Sequence, residues 1–122
     1  MNINERMAKV MGWEKDMLGQ GRWIMSRSKD GGYIDKYMLL SDWRPDTSII
    51  QAMMCAEKII LLDKRYIMHT LETYISRTHP GKLLYCSYFH DDKGKWHGGI
   101  VNETPSLAIC NAILEAMEVK DE

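Results

Sequence analysis

The sequence predicts an α+β fold in the order α-ββ-α-βββ-α, helices packed on antiparallel strands, and three observations carry that prediction. Strand-like runs stand on either side of two turns, Lys29-Asp30-Gly31-Gly32 and Asp91-Asp92-Lys93-Gly94-Lys95, so each reads as a hairpin. Apolar residues recur at helical spacing in three other segments, 3–13, 45–60 and 105–117. No linker or useful repeat interrupts these segments, so the 122 residues read as a single domain over 1–122. About five strands would form one antiparallel sheet covered by the helices.

In the first helix Ile3, Met7, Val10 and Met11 share a face, and Gly12 closes it, with Trp13 expected to fold back onto the core. Gly19 to Arg27 reads as a strand, with Trp23 and Met25 on one side and Ile24 on the other, and Tyr33 to Leu40 returns as its partner. Pro45 and Asp46 open the central helix, with Asp46 or Thr47 as its cap. Ile49, Met53, Ala56 and Ile60 follow one stripe of that helix, while Ile50, Met54 and Glu57 follow the next.

Residues 66–75 fit either element. Ile67, Leu71, Tyr74 and Ile75 suit a helix, whereas the content of Tyr, Ile and Thr favours a strand, which is the reading taken. Lys82 to His90 is the clearest strand, and Trp96 to Val101 completes the second hairpin. Gly98-Gly99 within it signals a bulge or a close backbone approach. Thr104 caps the last helix and Pro105 takes its first position, where the missing N–H costs nothing.

Composition narrows the function. Hydrophobic residues at 45% and charged residues at 27% are those of a soluble globular chain. Sixteen basic against seventeen acidic residues leave a net charge of −1, which offers no footprint for duplex nucleic acid or an anionic membrane. No apolar run is long enough to span a bilayer, and the N-terminus carries Asn2, Glu5 and Arg6 in place of a signal core, so a cytoplasmic protein is expected. Cys55, Cys86 and Cys110 are odd in number and lie in apolar segments, so buried free thiols are expected.

Motifs for catalysis are missing. His69, His79, His90 and His97 match no zinc spacing, no nucleophile elbow is present, and Gly19-Gln20-Gly21 is too short for a phosphate loop. The sequence therefore implies no catalytic residue, metal or cofactor. Binding of a nucleotide has a physical case. The helix starts at Asp46 to Ser48 and at Thr104 to Ser106 offer backbone N–H groups beside hydroxyls, and Arg44 precedes one of them. The plainer alternative is that Asp46 and Thr104 satisfy those N–H groups themselves. Lys58 adds a cation, and the aromatics Tyr85, Tyr88, Phe89 and Trp96 crowd one hairpin, so at least one must face away from the core. An outward Tyr88 or Trp96 suits base stacking or a subunit interface.

Three segments carry a family resemblance. Ile3 to Trp13 (I-N-E-R-M-A-K-V-M-G-W), Trp43 to Ile59 and T-P-S-L-A-I-C-N-A-I-L-E-A resemble, in order, the helices of the phage ABA sandwich proteins carried by phages and prophages. Proteins similar to that group include anti-defence sponges. These bind cyclic ADP-ribose isomers of the Thoeris system or cyclic oligonucleotides of the CBASS system without cleaving them, and they form homo-oligomers. The resemblance thus implies a non-enzymatic protein in the cytoplasm of the infected or lysogenic host. Its helix-end motif maps onto Thr104, Pro105 and Ser106, and a frequently basic position maps onto Asn111, where Asn replaces Arg. Arg44, Lys58, Tyr88, Trp96, Thr104, Ser106 and Asn111 are accordingly the expected ligand-binding set. The rival reading is a small phage accessory protein that acts through contacts with a host protein.

Overall fold

The computed structural model describes residues 2–16 and 21–117. Its elements run α1 (Ile3–Val10), β1 (Glu14–Lys15), β2 (Arg22–Arg27), β3 (Ile34–Leu39), α2 (Ile49–Leu62), β4 (Tyr66–Ile75), β5 (Leu83–Asp91), β6 (Trp96–Asn102) and α3 (Pro105–Ala116). The class is the predicted α+β, and residues 66–75 form the favoured strand. The strands divide, however, into two antiparallel three-stranded sheets, β1-β2-β3 and β4-β5-β6, where one sheet of about five was expected. The division follows from chain order. α2 intervenes after β3, and the residues beyond it begin a new ladder with β5. The expected start of the first hairpin at Gly19 and Gln20 lies outside the described residues.

Local chemistry explains the helix ends. Asn2 caps α1 through a 2.8 Å bond from the Glu5 amide to its side chain. Gly12, at φ +78°, then turns the chain so that the Trp13 amide donates to Ala8 O at 3.0 Å, and Trp13 is buried. Thr104 caps α3 with Pro105 in its first turn, as expected.

The start of α2 differs from expectation. Ser48, rather than Asp46 or Thr47, is its cap, accepting from the Gln51 amide at 3.3 Å. Residues 45–47 instead form a turn in which the Thr47 and Ser48 amides both donate to Arg44 O. Proline's fixed φ serves the second position of such a turn as well as it serves a helix start. Asn4 pins this turn to α1: its backbone carbonyl accepts from Trp43 Nε1 at 2.8 Å, and its side chain accepts from the Asp46 amide at 3.1 Å.

The core sits between the helices and the second sheet. α3 lies on β5 and β6, while α2 packs on α3 and β4. Phe89, Ile109 and Ile113 are fully enclosed, each contributing about 1.5–3 kcal/mol by leaving water. Trp23, Trp13 and Trp43 bring the first sheet and α1 into the same core. Gly98, at φ +102°, sits where a Cβ would lie 2.9 Å from Ala112 Cβ, so both readings of the Gly-Gly pair hold. The register of β5 with β6 shifts there, and α3 comes nearly to the strand backbone. All three cysteines are free and buried. Among the described residues no helix is long and apolar enough to cross a membrane.

Candidate functional site

The alternation of β2 creates a cleft. Trp23 and Met25 point into the core, so Arg22 and Ile24 point to the opposite face of the first sheet, as period two requires. Shifts in register between Ile24 and Ser26 and between Ser26 and Arg27 cancel, so that Arg27 stands opposite Ile34. On that face Glu14, Lys15, Asp16, Arg22, Arg27, Tyr33 and Tyr37 line a cleft of about 540 Å³, with Ile24 among the lining residues.

Charge in the cleft is arranged around Arg22. Its Nε donates to Asp16 Oδ2 at 2.7 Å, and its guanidinium carbon lies 5.0 Å from the centroid of the Tyr37 ring. Asp16 is 8% exposed, so it braces Arg22 from a desolvated position where the pair is little screened. Arg27 sits 3.6 Å from Glu14 on the rim. A guanidinium carries five N–H donors, so the Asp16 contact leaves Arg22 donors for a ligand oxygen.

The turn that presents Tyr33 is tied down. Asp30 accepts from Ser28 Oγ at 2.5 Å and from the Gly32 amide at 3.1 Å, and these bonds hold its carboxyl below the usual range. Tyr33 itself is 75% exposed, an available ring at the mouth of the cleft. The residues lie on or beside the three strands of the first sheet. Their separation in sequence hid them: Arg22 and Tyr37 are ordinary strand residues until the register pairs Ile24 with Tyr37.

The second sheet carries a different surface on its helix-free face. Tyr88 and Trp96 stack with centroids 4.9 Å apart and planes 3° from parallel, and His90 meets both rings edge-on. His90 Nε2 bonds Thr70 Oγ1 at 3.0 Å, and the Tyr74 and Tyr88 hydroxyls both donate to the Glu72 carboxylate. Tyr88 is buried at 6% exposure whereas Trp96 is 62% exposed. Alternation thus places an aromatic outward, as the sequence required.

On the helix-covered face, His69 Nε2 lies 2.6 Å from Ser87 Oγ. Ser87 is fully enclosed, so this pair cannot present a nucleophile to a substrate. Burial, and secondarily the charge of His90, push His69 down to about 4. His90 and His97 flank one turn but diverge, His97 bonding Asp91 at 3.1 Å. Among the described residues no group of three or more His, Cys, Asp or Glu side chains is placed to hold a metal.

The seven residues expected to bind a ligand are dispersed: Tyr88 and Trp96 stack on the second sheet, while the other five lie on or just before α2 and α3. Lys58 Nζ donates to Met11 O, fastening α2 to the end of α1. Thr104 accepts from the Leu107 amide at 3.2 Å, which leaves capping as the use of that helix start. Ser106 is buried. Asn111 Nδ2 lies 3.4 Å from Asn102 Oδ1 and links α3 to β6. Arg44 is exposed beside the turn before α2, where Pro45 O accepts from the Cys110 thiol at 3.3 Å. No family model, curated protein or solved structure matches this chain.

Proposed function

We propose that this is a phage or prophage protein that binds and sequesters a nucleotide-derived immune signal, a cyclic ADP-ribose isomer or cyclic oligonucleotide, without cleaving it. The observation that carries this reading is Arg22, braced by Asp16 and lying over Tyr37 in a cleft that also holds Arg27 and Lys15. Arginine donors fit phosphate oxygens in a forked geometry, and tyrosine rings stack on bases. Among the described residues, those lining the cleft include no His, Cys or Ser. The phage assignment rests on the three helical segments that resemble the ABA sandwich proteins, and it places the protein in the cytoplasm of the infected host.

Calorimetry with cyclic ADP-ribose isomers and cyclic dinucleotides tests the proposal. Binding is expected to weaken by roughly 10- to 150-fold in Arg22→Ala, the loss of one charge-assisted contact. Chromatography of the incubated ligand should return it unchanged. Absence of heat with every cyclic nucleotide, or appearance of a product, overturns the reading.

A second reading, a phage accessory protein acting on a host protein, draws on the exposed Trp96 stacked on Tyr88. In that case Trp96→Ala abolishes activity in cells, while Arg22→Ala leaves it intact.

A further inference from the structure

We infer that the hollow between α2 and β4 is a binding site for a small amphiphilic amine, an apolar body carrying one ammonium group, with Glu57 as its charge partner. The hollow shares no lining residue with the cleft of the first sheet.

Helical spacing builds one wall of it. Met53, Ala56, Glu57, Ile60 and Leu61 stand three or four positions from one another and form a single stripe of α2. Ala56 is 1% exposed and carries only a methyl group, whereas Met53 and Ile60, one turn to either side, carry long side chains. A short residue between two long ones leaves a concavity, and His69 of β4 closes it. Among the described residues these six line a volume of about 380 Å³. Small-molecule sites span roughly 300–1,000 Å³ and have this character, mostly apolar with a few placed polar groups.

Two polar side chains fix the chemistry of the occupant. Four of the six lining residues are apolar, so an occupant gains chiefly by taking carbon out of water. Leu61, 81% exposed, is apolar surface that it would cover. Glu57 is the charged residue of the lining, and among the described residues no ion pair neutralises it. Lys58, its neighbour in sequence, bonds Met11 O and is not among the lining residues. A carboxylate beside apolar walls attracts a cation and repels an anion more strongly than it does in open water. Fatty acids and other apolar anions are therefore disfavoured. His69 adds a hydrogen-bonding group without adding charge. Its Nε2 is engaged with Ser87 Oγ at 2.6 Å, and burial keeps the ring neutral at ordinary pH, so Nδ1 is the second polar atom it can offer.

Tryptamine and indole-3-acetate, one ring system with opposite charges, test this by NMR titration of the full chain. Tryptamine should shift the His69 ring and Met53 methyl signals to saturation, with a Kd on the order of 1 mM or tighter. Indole-3-acetate should bind at least about tenfold more weakly. Glu57→Gln should bring the two ligands within about threefold of each other, and Glu57→Lys should reverse their order. Glu57 is exposed on its helix, so both variants keep the fold. Arg22→Ala and Trp96→Ala should leave the tryptamine titration unchanged, which separates this site from the first-sheet cleft and from the outward aromatic. Tryptamine that leaves the His69 and Met53 signals unmoved at about 10 mM, where a millimolar site would be mostly filled, overturns the inference. So does equal binding of the two ligands, or a preference for the amine that survives Glu57→Lys. Movement of the same signals with protein concentration alone would give the hollow to a second copy and overturn it as well.

Discussion

His69 shows how one side chain makes stability depend on pH. Half-buried on β4 beside α2 and bonded to Ser87, it stays neutral in the fold down to about pH 4, whereas in the unfolded chain it takes up a proton near the ordinary histidine value of 6.5. A depressed value in the folded state means that the unfolded chain binds more protons between those limits. The contribution of His69 is thus fully present above about pH 6.5 and is lost as pH falls toward 4, to an extent on the order of 1–3 kcal/mol. Urea denaturation across that window should show the slope, and His69→Gln should flatten it. A slope unchanged in the variant would assign the pH dependence to other groups. The sequence contains His69 but not its burial, because its partner Ser87 is eighteen residues away and reaches it only through the pairing of Leu71 with Ser87 and His69 with Phe89.

Elements were legible where their signals are local. The last helix begins where Thr104 and Pro105 put it, and the first ends at Gly12 with Trp13 folded back. The central helix starts at Ile49, later than Pro45 suggests, because a turn uses the same proline geometry. β1 spans two residues, too few to show any period. The partition into two sheets was equally hidden, since the choice of a strand's partner depends on residues far away in the chain. The close approach of α3 to β6 at Gly98 gives a prediction at this scale. Gly98→Ala must place a methyl group 2.9 Å from Ala112 Cβ and 3.1 Å from Ser87 O while holding a positive φ, and is expected to cost about 2–4 kcal/mol. Gly12→Ala carries a comparable φ with nothing within 4 Å, so its cost should stop at about 1–2 kcal/mol. Equal losses in the two variants, read from urea midpoints, would remove the close approach as the cause.

The whole molecule encloses its reactive sulfur. Burial pushes the Cys55 thiol up to about 12 and also raises Cys110, and both side chains are fully shielded. Thiolate, the reacting form, is therefore scarce at neutral pH. A thiol reagent should label these two positions only as fast as the molecule opens, so their modification rate should rise with urea in step with unfolding. Rapid labelling in buffer alone would show a local opening between α2 and α3. The candidate cleft was illegible at this level for the same reason as the paired sheets: Asp16 follows β1 while Arg22 and Tyr37 lie on β2 and β3, and only the folded sheet assembles them. That at least one of Tyr85, Tyr88, Phe89 and Trp96 faces outward, by contrast, followed from alternation alone, and the fold exposes Trp96. Its setting has an optical consequence. Trp13, Trp23 and Trp43 are buried, with the Trp13 and Trp43 rings 4.5 Å apart, while Trp96 stands in solvent on Tyr88. The chain thus carries two separable chromophore populations. Blue-shifted emission from the enclosed indoles reports the integrity of the core, and red-shifted emission open to quenching by iodide reports whatever settles on the aromatic face, without any label being added.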